Sequence, residues 1–176
     1  MAGTAESADE PGAIYGPLDS ATPHIRLLRL LKGRHDDPVS GELFQVALNQ
    51  TPEVKYEALS YIWGNQELAH QIHVNGQPLN IGEILYSALY TLREMDKDRI
   101  LWIDAICINR HDDSEVSHQI RLMGDIYQRS QDVIVYLGPE TPEYKLVLEY
   151  MHQLEKVLDE RGYAKLPVPD EESKDS

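Results

Sequence analysis

Residues 100–108 read ILWIDAICI, an apolar run interrupted by a single carboxylate. A continuous run of this kind belongs to a strand covered on both faces, because a strand with one wet face alternates apolar and polar residues. Such a strand needs helices on two sides of its sheet, and the flanking sequence supplies them. After Gly82, the residues Leu85, Ala88, Leu89, Leu92 and Met95 recur at helical spacing. After the run, Asp112 and Glu115 have the spacing of a capping box, and Val116, Ile120, Met123 and Tyr127 form an apolar stripe behind them.

Two further segments read as strands. YEALSYIW (56–63) is aromatic and aliphatic and stops at Gly64, and DVIVYL (132–137) stops at Gly138 and Pro139. The order of strands and helices predicts an α/β fold with a parallel central sheet built from 56–63, 100–108 and 132–137, with 100–108 at its centre. Two hairpins are expected as additions at the sheet edges. One spans 25–48 and is joined through Gly33, Pro38 and Gly41; the other spans 72–81 and turns at Asn75 and Gly76. Thr141 and Pro142 suit the start of a third helix, with Val147, Met151, Leu154 and Leu158 as its stripe.

The chain has 176 residues, enough for one domain with a substantial core, expected over 24–162. Residues 1–23 carry four acidic residues and neither Lys nor Arg, so they read as a flexible leader; 163–176 reads as a disordered acidic tail. A formal net charge of -14 disfavours nucleic acid and anionic membranes as partners. One cysteine, no apolar run of membrane-span length and an opening MAGTAESADEPG without signal-peptide character together suggest a reducing, cytoplasmic setting.

Ligands of open parallel sheets bind beyond the carboxyl ends of the strands. That places Ser60, Tyr61, Trp63, Gly64, Asp104, Asn109 and Gln119 as candidate binding residues, and Asp104 and Glu115 as candidate catalytic carboxylates. If 100–108 is one strand, Asp104 shares a face with Trp102 and Ile106 and must find donors or titrate upward. It either holds a neighbouring loop or binds a ligand. Glu115 and Gln119 lie one helical turn apart; they point together toward a cleft near Asn109, or else Glu115 caps its helix and Gln119 meets solvent. Trp63 and Trp102 are core residues or the wall of a planar-ligand site. Cys107 and His111 have the spacing of a nucleophile and base, but no orienting third group accompanies them. With His118 they make no zinc pattern, and no metal is expected. No GxGxxG follows a strand, and GxxxxGK, GxSxG and HExxH are absent.

IRLLRLLKG, YEALSYIWG, LWIDAICINR, a helix carrying Glu115 and Gln119, MGDIYQRS and VIVYLG occur in this order over 25–138. The set resembles the ordered blocks of fungal heterokaryon incompatibility (HET) domains, with Arg110 where that family usually has Gln and Ser130 where it usually has Ala. The family's later block, a Trp followed closely by Gln-Glu, has no counterpart after Pro139. The resemblance implies a module in fungal non-self recognition and programmed cell death, acting through protein partners or self-association. HET domains are distantly similar to TIR domains, some of which cleave NAD with a late-helix glutamate. That analogy implies NAD as a substrate at most, with no cofactor required, and leaves open a truncated, inactive paralogue or fragment.

Overall fold

In a computed structural model of the chain, the described residues are 14–18, 22–49, 53–64 and 67–139, with the single positions 146, 150, 153, 156 and 157. The chain divides into two units, Met1–Gly138 and Pro139–Ser176. Positions 146, 150, 153, 156 and 157 are helical, within the expected third helix, whose remaining residues lie outside the described ones, as does the acidic tail.

The first unit holds seven strands and three helices among its described residues. In chain order they are β1 (His24–Leu30), β2 (Ser40–Ala47), β3 (Glu57–Tyr61), β4 (His70–Val74), β5 (Gln77–Ile81), α1 (Glu83–Leu92), β6 (Arg99–Trp102), α2 (Asp104–Cys107), α3 (Asp113–Arg129) and β7 (Asp132–Tyr136). All seven strands form one sheet in the order β5-β4-β2-β1-β6-β3-β7. The fold is therefore mixed α/β. The parallel part is a trio at one side, in which β3 pairs in parallel with both β6 and β7. β1 pairs antiparallel with β2 and β6, β4 pairs antiparallel with β5, and β2 runs parallel to β4.

Several expectations need correction, among them the central place of 100–108 in the sheet, which β1 holds instead. The 25–48 hairpin forms, with His24 opposite Ala47 and Leu30 opposite Gly41, but it sits in the middle of the sheet and β1 is the central strand. The physical reason is visible in HIRLLRL, where Ile25, Arg26, Leu27, Leu28 and Leu30 are all buried, so both faces of β1 are covered. The 72–81 hairpin does lie at an edge, turning through Asn75 and Gly76, both with positive φ.

The run 100–108 is not one strand. β6 stops at Trp102, and a single helical turn follows, with the N–H of Cys107 donating to the Ile103 carbonyl at 2.7 Å. A fully buried apolar run has no periodicity with which to separate strand from helical turn. The 56–63 segment is likewise shorter as a strand, ending at Tyr61, and Ile62 and Trp63 emerge exposed.

Helices cover both faces. On one side, the Tyr56 hydroxyl donates to the Ile126 carbonyl of α3 at 2.5 Å, and the Trp102 ring meets Tyr127 edge-on. On the other, the Arg99 guanidinium donates to the Leu92 carbonyl at the end of α1, and Tyr136 of β7 meets Ser87 of α1. α1 ends at Leu92, one residue before Arg93, whose guanidinium reaches the carbonyls of Arg34, His35, Asp37 and Pro38 and fastens the β1–β2 connection. Met95 is consequently outside the helix and exposed, and Ile120 on α3 is exposed as well.

The packed region reaches into the expected leader. Ile14 is buried and its carbonyl accepts from Asn75, while the Pro17 carbonyl accepts from Gln45. The rest of that segment, apart from residues 14–18, 22 and 23, lies outside the described residues.

Candidate functional site

β3 and β6 are parallel neighbours, so their carboxyl ends point the same way, that of β3 reaching three residues further, and the residues that follow them converge. β3 delivers Tyr61 and, two residues on, Trp63; β6 delivers Asp104 at the first position of α2. The connection from α2 to α3 contributes Arg110. Its guanidinium carbon stands 4.2 Å from the centre of the Trp63 ring, and its Nη2 lies 3.1 Å from Asp104 Oδ2. This is a cation held between an aromatic face and a carboxylate, two interactions that favour a planar guanidinium. The cluster faces solvent in part, Arg110 being 42% and Asp104 20% exposed.

The electrostatics follow from partial burial. Desolvation raises the Asp104 carboxyl above the ordinary carboxylate range, against the opposing pull of Arg110 and of the Ala105 amide. The Tyr61 hydroxyl is pushed up to about 12, first by burial and then by the Asp104 charge, with Arg110 acting the other way. Tyr61, Asp104 and Arg110 thus form one coupled group with Trp63 as its wall.

Gly64 supports this corner. Its φ is +56°, and a Cβ there would stand 2.5 Å from Ile84 Cδ1. The chain therefore turns out of β3 in a left-handed conformation, directly against the start of α1. Ser60 points the other way, toward α3, where it shares a side-chain hydrogen bond with Tyr127.

The other expected site residues do not join the cluster. Glu115 is nearly buried and lies against Arg26, accepting from Nη1 at 2.5 Å and from Nη2 at 3.0 Å; it also accepts the Asn109 amide at 2.7 Å. Asn109 turns its own side-chain oxygen to the His111 amide. Gln119 is fully buried and donates to the His24 carbonyl at 2.8 Å. Glu115 does not complete a capping box: Asp112 caps α3 alone, accepting from the amides of Ser114 and Glu115. Glu115, Asn109 and Gln119 thus tie α3 and its approach to β1.

Cys107 is fully buried, with its sulfur 3.4 Å from the Ile103 amide, and burial pushes the thiol up to about 12. It offers no thiolate to His111. Trp102 is wholly buried and belongs to the core. Among the described residues no group of three His, Cys, Asp or Glu side chains could hold a metal ion, and no helix is long and apolar enough to cross a membrane. A shallow crevice between Val46, Leu48, Val54, Tyr56 and Arg129 lies at the opposite end of β3.

Two residues central to this geometry carry signals in the sequence. Arg26 is a cation inside an otherwise apolar strand, and a buried charge demands a partner. Arg110 stands two residues after the apolar run, among turn-forming polar residues.

The chain matches the family model described as heterokaryon incompatibility protein (HET) over residues 56–174. It is also 34% identical over 160 residues to a protein of Neurospora crassa named heterokaryon incompatibility protein 6, OR allele. That alignment covers 82% of this chain and 23% of the relative, so the chain spans under a quarter of the relative's length. No solved structure gives a significant match.

Proposed function

Since the chain belongs to the heterokaryon incompatibility family, we propose that it serves fungal non-self recognition and programmed cell death signalling as a contact module, acting in the cytoplasm through protein partners or self-association. The observation that carries this reading is the state of the two carboxylates nearest the strand ends. Glu115 is buried against Arg26 and Asp104 is paired with Arg110. A general acid or base must reach a substrate proton directly or through one water. Glu115 spends both its oxygens inside the fold.

The surface beside them suits contact. Ile62 and Trp63 are exposed at the end of β3, and Leu68 is exposed ahead of β4; exposed aromatic and aliphatic side chains near an arginine make good anchors for a partner. The test is capture of partner chains by the purified protein, with size-exclusion chromatography for self-association and a Trp63→Ala variant as control. A chain that stays monomeric and captures nothing that Trp63→Ala fails to capture would remove the basis of the proposal.

Hydrolysis of NAD or a nucleotide in the manner of TIR-like enzymes is the second reading. One observation favours it: Asp104 has a raised pKa at the carboxyl end of a parallel strand, the usual place for such a group to meet a ligand. Incubation with NAD followed by chromatography for nicotinamide tests it. Product formation that Asp104→Asn abolishes would support hydrolysis; a chain with neither turnover nor NAD binding would exclude it.

A further inference from the structure

We infer that Trp63 and Asp104 form a recognition cage for the guanidinium of a partner protein's arginine, and that Arg110 is an internal stand-in occupying the cage until that partner displaces it. The inference rests on the contact-module reading above and supplies the chemistry of the contact.

The cage has the two elements that select a guanidinium. An indole face offers cation–π attraction and stacking to a planar cation, and a carboxylate at the edge accepts its N–H groups. The side chain that fills it is an arginine, centred over the Trp63 ring and bonded to Asp104. An ammonium would meet the carboxylate as a point charge but would forgo the stacking.

The occupant is positioned for release. Arg110 and Trp63 are 42% and 41% exposed, so the pair is already in contact with water. A partly exposed ion pair is held weakly. The backbone around Arg110 is secured by bonds that do not involve its side chain: the Asn109 amide to Glu115, the His111 amide to Asn109, and the Asp112 amide to the Asn109 carbonyl. The guanidinium can swing out while the connection keeps its course. Asp104 stays under the guanidinium because it is fixed at the first turn of α2, which is anchored by Ile103. The whole chain favours a basic partner, with 16 Lys and Arg against 30 Asp and Glu, and such complementarity speeds encounter as well as selecting the partner.

The probe is N-acetylarginine amide, titrated against the full chain while the fluorescence of Trp63 is followed as the difference from a Trp63→Phe variant. Arg110→Gln and Arg110→Ala empty the cage. The expected result is saturable quenching in both variants at a concentration at least tenfold lower than in the native chain, and its loss when Asp104→Asn is added. N-acetylcitrulline amide, of the same shape without the charge, and N-acetyllysine amide should give at most a tenth of the response. Equal response to citrulline or lysine, or no saturable response in variants that retain native far-UV circular dichroism, would overturn the cage. So would failure of both variants to fold, because Arg110 would then be a structural residue and not an exchangeable occupant. Capture experiments that find no partner while arginine amide still binds would instead count against the contact-module reading alone.

Discussion

Arg26 on β1 and Glu115 on α3, separated by 89 positions in the chain, meet in a two-pronged ion pair whose side chains are 2% and 8% exposed. The same guanidinium also donates to the carbonyls of Gly16 and Cys107 and lies 5.2 Å from the centre of the Tyr15 ring. One side chain therefore joins the central strand, the residues before it, the end of α2 and the start of α3.

Removing one partner of such a pair leaves an uncompensated buried charge, which typically costs about 3–5 kcal/mol. Glu115→Gln should lower the free energy of urea unfolding by roughly that amount. Combining it with Arg26→Met should restore part of the loss, because the substituted side-chain amide keeps an acceptor for the Asn109 N–H while the orphaned cation is gone. Additive losses in the double variant would show that the two charges do not support each other.

Gly64 and Gly76 both have positive φ, but only Gly64 is hemmed in. Gly64→Ala should cost roughly 1–2 kcal/mol for the left-handed conformation and more for the displacement of Ile84. Gly76→Ala, with nothing within 4 Å of the added carbon, should cost only the conformational part. Equal melting temperatures for the two variants would contradict the close approach of Gly64 to α1.

Asp104 sets a pH dependence. Burial, its largest influence, raises its folded pKa above the ordinary value, so the fold favours the protonated form more than the unfolded chain does. The stability this group contributes is complete below the unfolded pKa and is lost as pH climbs through the raised folded one. Urea unfolding of the native chain and Asp104→Asn, compared from about pH 4 to pH 7, should show the native chain losing ground as pH rises. The opposite slope would mean that the Arg110 charge outweighs burial.

Cys107, with its thiol pushed up to about 12 inside the core, should resist a thiol reagent such as dithionitrobenzoate at neutral pH, and react only at the rate of unfolding. Rapid modification of the native chain would place the sulfur within reach of solvent.

Local signals sufficed wherever a side chain's role is set by its neighbours in the chain. The Asn75-Gly76 turn, the Asp112 cap and the apolar stripe of α1 as far as Leu92 are of this kind, since each depends on residues only a few positions apart, whereas Met95 falls beyond the helix. The blocks over 25–138 were also enough to point to the family. The break after Trp102 was not legible, because a run buried on every side carries no period. Nor was the central place of β1, since adjacent β-strands in sequence form the same hairpin at an edge or in the middle of a sheet.

The site divides along the same line. The sequence by itself singled out Trp63, Asp104 and Glu115 as candidate groups from residue type and spacing, although it set Asp104 and Trp63 within strands that end before them. Only the tertiary structure decided what those groups do. Glu115 is drawn inward by Arg26 from 89 residues away, while Asp104 is met by Arg110 and Trp63 at the surface. Charge pairing acts through space and is strengthened by burial, and neither distance nor burial is a property of the linear chain.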